Sequence, residues 1–276
     1  MATLYVVSTP IGNLEDLSPR AVRTLTTVSR ILAEDTRRTR ILTERIGARA
    51  PLVSLHEHNE ASRVDTVLGW LAAGEDVALV SDAGTPLVSD PGARLVEAVA
   101  AAGHAVVPIP GPSAVLAALA VSGLPTERFT FLGFPERKGK ARREILRRVA
   151  TSSETTLLFE SPRRVAALLE DLSRACGGER RAVVCREMTK VHEEVRRGSL
   201  EGLAAWFRDH EPRGEVTVVV APSPGEDGEA ALEAGAEALA RELLDQGLRP
   251  SQVARDLSAR LDVPRNMAYR IVQELC

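Results

Sequence analysis

VALVSDAGTP, residues 77–86, is four apolar residues followed at once by a polar loop containing glycine and proline. A short apolar run bounded by turn residues reads as a strand buried on both faces. The same pattern occurs twice more: LYVV at 4–7 runs into STPIGNL at 8–14, and AVVPI at 105–109 runs into PGPSA at 110–114. Apolar runs at 31–33 and 52–55 lie between these, and amphipathic stretches fill most of the gaps. Strand and helix in alternation predict a mainly parallel sheet with helices on both faces. Ser18 before Pro19 marks one helix start, and Ser89 ahead of Leu95, Val96 and Val99 marks another that Gly103 ends.

From Phe129-Thr130-Phe131 the pattern changes. Strands are expected at 155–159, 182–185 and 215–220, with helices around 144–149 and 163–175, giving a second α/β unit. The stretch Ala221-Pro222-Ser223-Pro224-Gly225-Glu226-Asp227-Gly228 has linker composition. Beyond it lie a helix over 230–246 stopped by Gly247, a second over 252–261 capped by Ser251, and a third from Pro264. The last two resemble a helix-turn-helix, although a hairpin that only packs on the body reads equally well. The division expected is 1–112, 113–222 and a helical tail over 229–276.

The chain has 276 residues, 44% apolar and 26% charged, enough for substantial cores. It has no continuous apolar run of about 18 residues, and Met1-Ala2-Thr3 leads into the first strand without a basic region or cleavage site. A cytoplasmic, non-membrane protein is therefore expected. Cys176, Cys185 and Cys276 form no metal-ligand spacing, which fits a reducing compartment. A net charge of -3 means that any nucleic-acid partner must be met by a local basic patch.

In an open parallel sheet, ligands sit beyond the carboxyl ends of the strands, where the three loops would gather. Their glycines let backbone amides approach a ligand, and Asp82 could accept from ribose hydroxyls or an amino group. Neither a dinucleotide fingerprint nor a phosphate loop is present, so no pyrophosphate is required of the ligand. A nucleoside with an amino-acid tail would suit such loops.

The motifs LYVVSTPIGNLEDLSPRA from Leu4, AEDTRRT from Ala33, HEHNE from His56 and VALVSDAGTPLVSDPG from Val77 continue in order with four others. These are PIPGPSA from Pro108, FESPRR from Phe159, REMTK from Arg186 and RGEVTVVV from Arg213. Together they resemble the ribosomal RNA small subunit methyltransferase I family of the tetrapyrrole methylase superfamily, across nearly all of residues 4–220. The resemblance implies a two-domain tetrapyrrole-methylase-like fold, with a mainly parallel first sheet, a mixed second sheet and a small helical tail. It implies a homodimer with S-adenosylmethionine as methyl donor in the cleft and 2′-O-methylation of a cytidine in the decoding region of 16S ribosomal RNA; from the residues themselves no metal is expected. It carries donor binding to Pro10, Gly12, Asp82, Ala83, Gly84, Thr85, Pro110 and Gly111, with Glu160 and Ser161 from the second unit. Ser8 stands where the family usually has proline.

A ribose hydroxyl must lose its proton during transfer, which calls for a positioned base or a lysine of lowered pKa. Lys190 with Glu187, in REMTK, is the leading pair to orient or deprotonate it; an ordinary salt-bridged strand end is the plainer account. His56, His58 and Glu60, and Glu34-Asp35-Thr36-Arg37, are further acid/base candidates. The alternation of HEHNE would put both imidazoles on one side of a strand, with no third metal ligand evident. Capping and ion pairing would account for the acidic residues. Residues 136–148 hold seven Lys/Arg against two Glu. Arg137, Lys138, Lys140, Arg142 and Arg143 are expected in a loop there, as phosphate contacts to small-subunit RNA. Aromatic residues are only 3% of the chain, leaving Phe131, Phe134, Phe159 or Trp206 to hold one flipped base. Methylation of a tetrapyrrole carbon, and nucleic-acid binding without catalysis, are the alternative functions.

Overall fold

The computed structural model describes residues 2–224, 226–261 and 263–275, excluding the side chains of 226–232. Met1, Gly225, Asp262 and Cys276 lie outside the described residues. In chain order the first half comprises β1 (Thr3–Val7), α1 (Pro19–Thr27), β2 (Arg30–Ala33), α2 (Thr36–Ile46), β3 (Leu52–Ser54), α3 (Glu60–Ala72), β4 (Val77–Val80), α4 (Ala93–Ala101), β5 (Ala105–Ile109) and α5 (Ala114–Ser122). The rest of the body comprises β6 (Phe129–Phe131), α6 (Lys140–Thr151), β7 (Thr155–Glu160), α7 (Val165–Cys176), β8 (Arg181–Arg186), β9 (Glu194–Ser199), α8 (Leu200–Asp209) and β10 (Val216–Val220). The tail is α9 (Glu226–Asp245), α10 (Pro250–Leu261) and α11 (Arg265–Leu275).

The first five strands form a wholly parallel sheet in the order β3-β2-β4-β1-β5. Alternation along each strand feeds two cores. Leu4, Leu32, Val77 and Leu79 pack with α3 and α4 on one face, while Val7, Ile31, Ala78 and Val80 pack with α1 and α2 on the other. That two-sided burial is why these strands are continuous apolar runs. Because β1 lies between β4 and β5, the loops after all three strands meet at one edge.

The second sheet, β6-β7-β10-β8-β9, is mixed: β6 pairs parallel with β7 and the remaining pairs are antiparallel. One face is covered by α6, α7 and α8 and the other by α5, whose Val115, Ala118 and Leu119 join Leu157, Val183 and Val219. The tail helices enclose a separate core of Ala236, Ala240, Leu257, Ile271 and neighbours.

Local chemistry sets the boundaries, and several differ from expectation. Ser18 caps α1 through Ala21 N–H at 3.1 Å with Pro19 in the first turn. Ser89 does not start α4. It has φ +68°, and Gly92 is the N-cap. Pro91 disfavours helical backbone at Asp90, and the amide of Leu95 is instead taken by the buried Glu60 carboxylate at 3.1 Å. Helix α10 starts at Pro250, ahead of the expected Ser251 cap, with the Gln252 side chain accepting from Arg249 N–H. The expected linker is shorter than its composition implied, because α9 already begins at Glu226. Ser223 is tied down by its N–H to the Ser152 carbonyl and by Arg180 to its hydroxyl. HEHNE is no strand: β3 ends at Ser54 and Asn59 folds 56–59 into a turn, accepting from His56 N–H and donating to the Ser54 carbonyl.

Candidate active site

The three strand-end loops hold one another through their backbones. Thr9 and Gly84 exchange N–H···O bonds at 2.8 and 3.0 Å, and Ser8 N–H donates to Ile109. The Ser8 hydroxyl meets Thr85 Oγ1 at 3.0 Å, and Thr85 in turn donates to the Pro112 carbonyl. Gly111 is needed for this closeness, since a Cβ there would lie 3.0 Å from Ser8 Cβ. Gly12 serves a different contact: a Cβ would strike Lys190, Thr189 and Met188 in the turn after β8.

Between these loops and the second sheet lies a cavity of about 420 Å³. One wall is Asp82, Ala83, Gly84 and Thr85, with Glu34, Arg38 and Asp90 at one end. The opposite wall comes from β7 and β10: Phe159, Glu160, Ser161, Glu215 and Thr217. Of the residues singled out in the sequence, Asp82, Ala83, Gly84, Thr85, Glu160 and Ser161 line it, whereas Pro10, Gly12, Pro110 and Gly111 stand outside its walls and belong to the loop framework.

The cavity is rich in carboxylates. Asp82 is less available than expected: Oδ1 accepts from Asp35 N–H at 2.9 Å and Oδ2 pairs with Arg38 at 3.3 Å. Burial and the charge of Asp82 push the Glu34 carboxyl above its ordinary value. Burial, then repulsion by Glu34, push Asp90 up to about 6 despite a hydrogen bond from Ser81. The side chain of Glu160 is fully buried; Oε1 accepts from Ser161 N–H and Arg164 Nε, both at 2.7 Å. Its Oε2 is buried with no hydrogen-bond partner. A buried lone pair left unmet on the wall of a cavity is a place for a donor from a ligand.

Lys190 Nζ donates to Glu187 Oε1 at 2.8 Å and to Glu215 Oε2 at 3.3 Å. Burial pulls its pKa down, but Glu187 and Glu215 together outweigh that and leave it above the ordinary lysine value. This corrects the expectation of a lysine of lowered pKa: two carboxylates hold the ammonium protonated. Neither Lys190 nor Glu187 lines the cavity, while Met188 between them does. Glu187 and Thr189 have φ +50° and +66°, and Thr189 Oγ1 accepts from Asn13 N–H at 3.0 Å. The turn therefore clamps the first loop against the second sheet.

The chain matches the model of the tetrapyrrole (corrin/porphyrin) methylases over residues 3–204. A ribosomal RNA small subunit methyltransferase I from Synechocystis sp. is 44% identical over 275 residues, covering 100% of this chain and 99% of the relative. The protein of that name from Mycobacterium tuberculosis is 51% identical over 222 residues, covering 79% and 77%. This chain belongs to the tetrapyrrole methylase family, in its ribosomal RNA small subunit methyltransferase I branch. Two solved methylases share the fold at 22% identity. The uroporphyrin-III-C-methyltransferase of Thermus thermophilus has a TM-score of 0.56, covering 83% of this chain and 98% of its own. The methyltransferase CobJ has a TM-score of 0.61, with 81% and 95% covered.

In this methylase the remaining sequence candidates separate by position. Glu60 caps α4, and Asp35 caps α2 through Arg37 N–H while Arg37 holds its carboxyl well below the usual range. Residues 140–151 are helix α6, so Lys140, Arg142 and Arg143 are not in a loop as expected. Arg142 is turned inward, 11% exposed, bridging to Asp171 on α7 at 2.7 Å and donating to the Glu136 carbonyl. That bond takes it out of the solvent-facing set, leaving Arg137, Lys138, Lys140 and Arg143 exposed. Phe134 and Phe159 line the cavity with Phe131 behind, the rings 4.7 and 5.3 Å from Phe159. Trp206 is distant in role: Arg196 and His210 each lie 3.7 Å from its ring, which leaves no face for a base.

Asp90, Arg38 and Glu215 were not singled out from the sequence. The available signal for Asp90 was its place in SDPG, eight residues after Asp82 in the same loop region. Glu215 stands just ahead of β10 and Thr217 on it, far along the chain from the loops, and only the topology reveals their neighbours.

Proposed function

We propose that the cavity binds S-adenosylmethionine and that the protein methylates the 2′-hydroxyl of a cytidine in the decoding region of 16S ribosomal RNA. The observation that carries this reading is the likeness to ribosomal RNA small subunit methyltransferase I along the whole chain. The cavity supports it chemically. Glu34, Asp90, Glu160 and Glu215 against Arg38 suit a donor that is cationic at sulfur and amine, and the unmet Glu160 Oε2 would accept from an amino or hydroxyl group. Its size falls within the range of ligand pockets, about 300–1,000 Å³.

When bound, S-adenosylmethionine supplies a methyl group on a positively charged sulfur, and the protein's part is alignment and exclusion of water. The Asp82–Thr85 loop and Glu160–Ser161 hold the donor from two sides. The acceptor oxygen would lose its proton to Asp90 as its bond to the methyl carbon forms and the methyl–sulfur bond breaks, the sulfur leaving as a neutral thioether. It lines the cavity with an affinity for protons that suits a base near neutral pH. Lys190, kept cationic, and Glu187 orient rather than deprotonate: they fix the turn against Gly12 and Asn13. Phe134, 56% exposed at the cavity, and Phe159 offer stacking faces for an extruded cytosine. Arg137, Lys138, Lys140 and Arg143 contact RNA phosphates. The protein acts as a homodimer, with α5 as the contact; Leu116 and Val121 on that helix are 56% and 41% exposed.

The test is transfer of labelled methyl from S-adenosylmethionine to small ribosomal subunits from a strain lacking this protein, followed by nucleoside mass analysis. Labelled 2′-O-methylcytidine is expected. Absence of label in RNA while the donor still binds would overturn the acceptor assignment.

A further inference from the structure

A second concavity, about 770 Å³, lies where the tail meets the second sheet. Arg181 on β8 and Arg197 on β9 line it from the body, Arg255 on α10 and Arg265 on α11 from the tail. Arg181 is already partnered, and among the described lining residues the other three arginines face a single carboxylate, Glu179. In a chain of net charge -3 this is a local reversal of sign.

Its construction favours a polyanion. Arg197 is held in place by the carbonyls of Ser122, at 3.2 Å, and Val121. Arg255 and Arg265 are exposed, and Arg265 opens α11, so the positive end of that helix adds to the field. The Ser258 hydroxyl on the groove wall is buried without a partner, and Tyr269, 51% exposed, presents a ring beside it. Arginines, an unmet hydroxyl and an exposed aromatic ring together match the backbone and an unstacked base of a single RNA strand.

We propose that this groove between the tail and the second sheet binds a strand of small-subunit ribosomal RNA, with phosphates on Arg197, Arg255 and Arg265 and a base on Tyr269. The proposal rests on the rRNA reading of the active site and adds where the substrate is gripped. β8 runs from Arg181 at the groove to Arg186, which pairs with Val216 at the cavity end. At about 3.3 Å per residue this is roughly 17 Å, so the strand held is not the acceptor nucleotide.

The experiment compares wild type with an Arg255→Gln, Arg265→Gln double variant and with Tyr269→Ala, using small subunits and protein-free 16S rRNA. For the double variant, KM for RNA should rise about tenfold with kcat and donor affinity unchanged. The slope of log affinity against log salt should become shallower by about 0.7 per arginine. Tyr269→Ala should weaken binding several-fold without changing that slope, and an Arg255→Lys, Arg265→Lys variant should retain most affinity. Unchanged KM and salt slope in the double variant would overturn the proposal. So would a loss seen only with assembled subunits, which would assign the groove to a ribosomal protein. Failure of wild type to methylate RNA would instead strike the rRNA reading itself.

Discussion

Asp90 is the residue at which burial, charge and chemistry meet. It stands at the end of the cavity beside Glu34 and Asp82, and burial with Glu34 repulsion raises its pKa to about 6. A carboxyl whose folded value lies above the ordinary 3.8 binds a proton more tightly when folded. Its favourable contribution is therefore complete below the unfolded pKa and is lost as pH rises through the folded one. Asp90→Asn should melt at the same temperature as wild type near pH 3, progressively higher between about pH 4 and 6, and with a constant gain above that. Activity should move the opposite way. Wild-type kcat should rise through about pH 6, and the variant should lose about 10²–10⁴-fold in kcat and show no such rise. A variant that kept kcat and its pH profile would assign the proton to another group. The same stability gain with unchanged kcat would make Asp90 merely a destabilising cavity carboxylate.

The turn after β8 depends on a glycine 27 residues beyond Glu187. Gly214 has φ +81°, and a Cβ there would occupy the position of the Glu187 carboxylate. Gly214→Ala therefore combines a left-handed backbone penalty of about 1–2 kcal/mol with displacement of the group that holds Lys190. Chemical denaturation should show a loss of about 2 kcal/mol or more, and weaker donor binding should accompany it because Gly214 and Glu215 line the cavity. This interaction also marks the limit of sequence reading. Strands β2, β4, β8 and β10 were legible because burial on both faces makes them near-continuous apolar runs. Edge strand β9, EVRRGS, has no apolar alternation to read, and α5, AVLAALAVS, is apolar all round and shows no period. The gathering of the strand-end loops was legible, but the opposite wall of the cavity beside them is assembled from β7, β10 and the residues next to them. The charge state of Lys190 was only half legible: Glu187 is three residues away, but Glu215, which joins it in outweighing burial, arrives 25 residues later.

At the scale of the whole molecule, two sheets meet along a cleft, and α5 carries the chain from one to the other. The buried side of α5 is Val115, Ala118 and Leu119 on the second sheet, while Leu116 and Val121 face outward. A helix apolar on every side is normally enclosed on every side, and within one chain α5 is not. A two-fold contact through α5 would bury the same patch on both subunits, so one substitution acts twice. Burial of a leucine side chain contributes about 1.5–3 kcal/mol, hence about 3–6 kcal/mol for the symmetric pair, or roughly 10²–10⁴ in the dimer dissociation constant. Sedimentation should find wild type dimeric at micromolar concentration and Leu116→Glu largely monomeric, its donor affinity preserved if each cavity is complete within one chain. A wild-type monomer would remove α5 as a subunit contact. A Leu116→Glu protein that remained dimeric would place the contact on another face.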